Sequence, residues 1–333
     1  MTRLYIKSLS FGGVITNYHC VSKCGHCLYN CGPHRTKAYL EASLAEKIFV
    51  RIADLGCRSV HIGGGEPLLN PEKLIKVLEV AKNVGVGIDY VETNSAWFID
   101  SDQAKTILKI LYAAGVHTLL ISISPFHNAH IPFARVKGVI AACSKVGMNI
   151  FPWVNAFMSD LSRLDEHLPH GMEEFRATFG SDYLRRIPDR YWIHLGGRAL
   201  ETFRSVYPQH PLKKILEQSP SSCVRTLSDT SHFHLDLFGS YIPGLCAGLT
   251  IAMEDLGRPL PAGKYPLLDV LTATGIRGLY DFACQSFDYP SSRSTFLNRC
   301  DLCTHIRTFL IQQKKEKFLE LAPEGFYAAV DLS

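Results

Sequence analysis

From Arg3 to about Arg198 the chain alternates short apolar runs with longer stretches of helical period, and this alternation constrains the fold more than any other feature. Repeated strand–helix pairs bury their apolar residues most simply in a parallel sheet with helices packed on its faces. Arg58–Ile62, Gly87–Glu92, Thr118–Ser124, Ile150–Val154 and Trp192–Leu195 read as strands. Ser43–Leu55, Pro71–Val84, Ser101–Ala114, Phe133–Val146 and Glu173–Leu184 carry helical spacing between them. Pro71 after Asn70 suits a first helical turn, and Gly85 and Gly115 suit helix ends. With a first strand near Lys7–Ile15, the pattern predicts an α/β fold, a partial (β/α)6 TIM-type barrel.

After about Ser205 the pattern changes. His232–Tyr241 alternates around Gly239 and predicts a β-hairpin, while Leu267–Phe287 and Ser294–Gln313 predict helices. The expected division is a barrel over 1–205 and a small C-terminal α+β domain over 206–333, packed directly on it. A chain of 333 residues, 47% hydrophobic and 20% charged, has ample material for such a core. The net charge of +4 is spread among interspersed Lys, Arg, Asp and Glu, which predicts neither a nucleic-acid nor a membrane-surface partner. The segment MTRLYIKSLSFGGV lacks the apolar core of a secretion signal, so the expected location is cytoplasmic. There, eleven cysteines favour metal or redox chemistry over disulfides.

Cys20, Cys24 and Cys27 give the spacing CxxxCxxC in a loop after the first strand, where a parallel α/β fold places its binding site. Thiolates hold iron–sulfur clusters, and three of them leave one iron of a cubane open. A zinc site completed by His19 or His26 is the alternative. The run His61-Ile62-Gly63-Gly64-Gly65-Glu66-Pro67 follows the second strand; its glycines let backbone approach a ligand, and Glu66 can accept from an ammonium group.

Together, CxxxCxxC after the first strand and GGEP after the second resemble the radical S-adenosylmethionine (SAM) superfamily over most of residues 1–205. The resemblance implies that Cys20, Cys24 and Cys27 hold a 4Fe-4S cluster whose open iron takes the amino and carboxylate groups of SAM. It implies reductive cleavage of SAM to a 5′-deoxyadenosyl radical that abstracts hydrogen from substrate, with an electron donor such as flavodoxin or ferredoxin. Gly64, Gly65, Glu66 and Pro67 would line the SAM site, joined by Glu92, Asn94, Ser122, Ser124, Asn155 and Arg198 at strand ends. Pro125 stands where the family often has Asp, His127 lies within reach of substrate, and Cys31 reads as a spare thiol.

Cys223, Cys246, Cys300 and Cys303 bracket the predicted hairpin and last helix. Four thiolates satisfy either a tetrahedral zinc ion or all irons of a second 4Fe-4S cluster. Beside a radical SAM barrel the arrangement resembles a twitch domain, the short relative of the SPASM domain, which implies an auxiliary cluster that moves electrons. Enzymes of that build modify ribosomally made peptides, by epimerisation or crosslinking, or dehydrogenate a sugar-like alcohol. The expected substrate is thus a peptide, with a small molecule as the alternative. In the peptide epimerases that the arrangement resembles, hydrogen is returned by a thiol of a Cys-Cys pair after the hairpin; here Ala247 and Gly248 follow Cys246, so that thiol is missing and Cys284 is the candidate replacement. The cluster loop begins by residue 20, which predicts no leader-binding extension ahead of it. A non-enzymatic zinc or iron–sulfur redox sensor is the reading from another class.

Overall fold

The computed structural model describes residues 3–153, 155–290, 293–313, 317–328 and 330. Five strands, β1 (Gly12–Ile15), β2 (Ser59–Gly63), β3 (Gly87–Thr93), β4 (Thr118–Ser122) and β5 (Asn149–Trp153), pair in parallel in the order β5-β4-β3-β2-β1. Helices α1 (Ala42–Asp54), α2 (Pro71–Val84), α3 (Ser101–Ala113), α4 (Pro125–Asn128) and α5 (Phe133–Val146) fall between and after them. The helix boundaries follow local chemistry. Asn70 Oδ1 accepts from Lys73 N at the start of α2, Pro71 takes the first helical position, and Gly85 closes the helix. Leu74, Val77, Leu78 and Ala81 of α2 form a fully buried stripe at helical spacing. Each such Leu or Val contributes about 1.5–3 kcal/mol through burial.

The remaining strands are β6 (His210–Pro211), β7 (Phe233–Asp236), β8 (Ser240–Ile242), β9 (Ile251–Ala252) and β10 (Thr295–Phe296). The expected hairpin forms as β7 and β8, antiparallel about Gly239. Its place in the sheet is new: β7 pairs in parallel with the free edge of β1, Val14 opposite Leu235, and β8 and β9 extend the sheet to eight strands. The sheet is open, ending at β5 and β9, and runs without a break across residue 205. β6 and β10 form a separate antiparallel pair.

Trp192–Leu195 is not a strand. The segment leads instead into Gly196 and Gly197 beneath the cysteine loop, where Arg198 N donates to Cys27 O at 3.1 Å. The expected Glu173–Leu184 helix is two helices, Met172–Phe179 and Tyr183–Arg190, separated at Gly180. The expected Leu267–Phe287 helix spans Pro266–Phe287 but breaks its helical geometry at Gly275, and Ser294–Gln313 is helical from Arg299. Val154, the predicted end of the fifth strand, lies outside the described residues. Among the described residues no helix is long and apolar enough to cross a membrane.

Candidate active site

The loop after β1 and the glycine run after β2 are joined by backbone bonds. Gly65 N donates to Asn17 O at 2.8 Å, Glu66 N to His19 O at 3.2 Å, and Asn17 Nδ2 to Glu66 O at 3.1 Å. A Cβ on Gly65 would sit 2.0 Å from His19 O, so only glycine permits this approach. Beyond the seam lies a cavity lined by Cys20, Cys24 and Cys27, together with Gly64, Gly65 and Pro67. Glu92, Asn94, Ser122 and Arg198 reach the same cavity from later segments.

The residues fit a cluster with an added ligand. Ser22 N and Asn94 Nδ2 donate to Cys20 Sγ at 3.4 and 3.3 Å, and Cys31 N donates to Cys27 Sγ at 3.3 Å. Such bonds orient sulfur ligands and stabilise thiolate. Burial pushes the Cys20 thiol up to about 12 and Cys24 well above its ordinary value. Cys27 falls to about 6, chiefly through a hydrogen bond with the Cys31 thiol. Cys20 and Cys24 become thiolates only beside a compensating positive centre such as iron. Cys31, expected as a spare thiol, lines the same cavity and is bound to Cys27. The guanidinium of Arg198 donates through Nε to Cys24 O at 2.9 Å and through Nη2 to Cys31 O. Its Nη1 is buried without a hydrogen-bond partner among the described residues, an open donor of the kind a carboxylate would satisfy.

Glu66 is not placed as expected. Its carboxyl is fully buried and accepts from Leu68 N at 3.0 Å, Asn94 N at 2.7 Å and Thr93 Oγ1 at 3.1 Å, so it ties the glycine run to the end of β3. Desolvation raises its pKa to about 7. Glu92 instead faces the cavity with 38% of its side chain exposed. Partial desolvation, and secondarily Glu66, raise its pKa to about 7. Ser124 is buried at the start of α4, 2.7 Å from His127 Nδ1, and Asn155 is exposed on the turn after β5; neither lines the cavity.

Cys223, Cys246, Cys300 and Cys303 do come together, in a second, mostly apolar cavity. Burial raises Cys223 to about 11 and pushes Cys246 and Cys300 up, with neighbouring cysteines adding to each shift. Arg307 lines this cavity and donates through Nη1 to Ala247 O at 3.0 Å. Cys284 lines neither cysteine cavity; its helix turns Sγ towards Tyr289 O, 3.8 Å away.

A cleft of about 650 Å³ separates the two cysteine sites. It shares His26, Glu92, Ser122 and His127 with the first cavity, and Gly244 and Leu245 with the second. Exposed Trp192, Asp229 and Ser231 stand at its rim. Sequence reasoning missed a cluster of three histidines, of which His232 lines this cleft while His61 and His234 are buried behind it. Nitrogens of His61, His232 and His234 all lie within 4.8 Å of one another, and among the described residues no other set of three or more His, Cys, Asp or Glu side chains is so tight. The alternation His232-Phe233-His234 was the available signal, since it puts both imidazoles on one strand face.

Residues 14–158 match the Radical SAM superfamily. No curated protein matches the sequence. The chain is similar in structure to native anSMEcpe with bound AdoMet, at 13% identity and TM-score 0.46, covering 91% of this chain and 98% of that one. It is similar to Streptococcus suis SuiB bound to precursor peptide SuiA, at 15% identity and TM-score 0.34, covering 95% and 75%. BtrN in complex with AdoMet and 2-DOIA gives 13% identity and TM-score 0.41, covering 83% and 90%. Against HydG, a maturase of the FeFe-hydrogenase, the likeness spans 44% of this chain and 35% of that one, at 13% identity and TM-score 0.34. At these TM-scores the likenesses do not bear on what the chain does.

Proposed function

We propose, from the match of residues 14–158 to the Radical SAM superfamily, that this chain is an enzyme that works with a 4Fe-4S cluster and SAM and oxidises a peptide substrate held between two iron–sulfur sites. Cys20, Cys24 and Cys27 would hold the SAM-binding cluster. The observation that carries the reading is their convergence with the unpaired Arg198 Nη1 and with Glu92, Asn94 and Ser122 on one cavity. Bound there, SAM and a reduced cluster would supply a carbon radical able to take a hydrogen atom from substrate. The chain's part is positioning. Gly64 and Gly65 admit the ligand close to backbone, Arg198 offers a donor for its carboxylate, and Asn94 steadies the Cys20 sulfur.

Residues 206–333 would form a twitch-like unit whose Cys223, Cys246, Cys300 and Cys303 hold the second cluster. Sulfurs around a tetrahedral zinc ion sit about 3.8 Å apart. A cubane spreads its four thiolates further, and the second cavity takes all four cysteines into its lining. An electron acceptor next to the cleft suits crosslinking or dehydrogenation. Epimerisation needs a hydrogen-donor thiol, and the notable candidate, Cys284, lies outside the cleft. The cleft's open rim along Trp192, Asp229 and Ser231 gives entry to a chain segment, which favours a peptide over a small sugar-like alcohol.

Anaerobic reconstitution with iron and sulfide tests the two-cluster assignment: about eight irons per chain support it, and about four irons leave a single cluster. Deuterium uptake from labelled water into a modified peptide would instead point to epimerisation.

A further inference from the structure

His61 projects from β2 and His234 from β7, which flank β1 in the sheet, and His232 immediately precedes β7. The His61 ring is sandwiched between Tyr90, 5.1 Å away and nearly parallel, and His232, 5.3 Å away and stacked, while the His234 ring stands edge-on to both imidazoles. A merely apolar packing role does not explain how the nitrogens face. His61 Nε2 lies 3.1 Å from His234 Nε2, and donor atoms of all three rings lie within 4.8 Å of one another. Two imidazole nitrogens on a tetrahedral zinc-sized ion stand about 3.3 Å apart.

We propose that His61, His232 and His234 bind a divalent late first-row metal ion at the wall of the substrate cleft.

Several features prepare the site. The His61 ring lies against β1 at Gly13, where a Cβ would come within 2.2 Å of Nε2, so glycine leaves room for the imidazole. The Tyr29 hydroxyl is 2.8 Å from His234 Nδ1, the outer contact that fixes a ligating ring and leaves Nε2 for the metal. Glu92 Oε1 is 3.8 Å from His61 Nε2 and offers an oxygen beside the imidazoles. His232 and Glu92 both line the cleft, so a coordination position left by three histidines opens towards substrate. An ion there would take a hydroxyl or carboxylate oxygen of the bound molecule. Imidazole suits single zinc, nickel and copper ions, and three histidines offer none of the thiolates that hold a 4Fe-4S cubane, so this site is distinct in chemistry from both cysteine sites.

The test uses the full chain carrying its iron–sulfur clusters in their oxidised, EPR-silent state, with cobalt(II) as the probe. Equilibrium dialysis measures uptake, and pulsed EPR reads nitrogen coupling to the cobalt. The expected result is one cobalt bound per chain with imidazole nitrogen coupling, and affinity lowered about tenfold or more in His232→Gln and His234→Gln that keep wild-type iron content. No uptake by wild type at micromolar cobalt, cobalt without nitrogen coupling, or equal uptake by those variants would each overturn the proposal. Should a variant lose iron, the wild-type nitrogen coupling alone decides. The readout does not depend on SAM cleavage, so the site can stand or fall apart from the proposed activity.

Discussion

Replacing Glu66 by Gln separates a structural carboxylate from a ligand of SAM. Three donors converge on its two oxygens: Leu68 N at 3.0 Å, Asn94 N at 2.7 Å and Thr93 Oγ1 at 3.1 Å. The threonine hydroxyl has nowhere else to send its proton, because it already accepts from Ser95 N at 3.0 Å and Trp97 Nε1 at 2.9 Å. A Gln amide offers one oxygen. Whichever way it turns, one backbone N–H faces the amide nitrogen, and the two amide hydrogens find no free acceptor among these partners. Three unsatisfied buried donors at about 1–3 kcal/mol each give about 3–9 kcal/mol before relaxation. The expected loss is at least about 3 kcal/mol, a large part of the roughly 5–15 kcal/mol that holds a typical domain folded. Urea unfolding at matched iron loading, above the pKa of about 7, reads it as a lower midpoint. An unchanged midpoint with weakened SAM binding would refute this reasoning and return Glu66 to the role of ammonium acceptor.

Other consequences are equally specific. Asp236 accepts Phe238 N and Ser240 N on Oδ1 and Tyr18 Oη on Oδ2, and burial raises its pKa from 3.8 to about 6. The folded state therefore holds this proton more tightly, so its contribution is full below pH 3.8 and is lost as pH rises through about 6, by about 3 kcal/mol. Asp236→Asn can keep all three bonds and should flatten that part of the stability–pH curve; an unchanged slope would contradict the assignment. Gly65→Ala drives a Cβ to within 2.0 Å of His19 O and should cost about 1–3 kcal/mol and reduce cluster loading, read by thermal unfolding and iron content. Asn94→Ala removes the donor 3.3 Å from Cys20 Sγ and should shift the SAM cluster's midpoint potential to more negative values in a redox titration.

Local chemistry made much of the parallel sheet and its helices legible. The α2 boundaries follow from Pro71 and Gly85 and the end of α3 from Gly115, next to periodic apolar stripes, and the hairpin follows from alternation around Gly239. Trp192–Leu195 misled because a short apolar run before two glycines looks the same whether it enters a sheet or passes beneath a loop. The pairing of β7 with β1 joins residues more than two hundred positions apart, which periodicity does not encode. The same holds within the site. The two cysteine sets were visible as spacings, but the burial of Glu66 and the meeting of His61 with His234 depend on which strands become neighbours.

The most direct measurement of the central claim is 5′-deoxyadenosine formed when the reconstituted protein is reduced anaerobically with SAM. Wild type should produce it, Cys20→Ala should produce none, and Cys300→Ala should retain cleavage without substrate, because its thiol lies in the second cavity. Absence of 5′-deoxyadenosine from reduced, iron-loaded wild type would contradict the account.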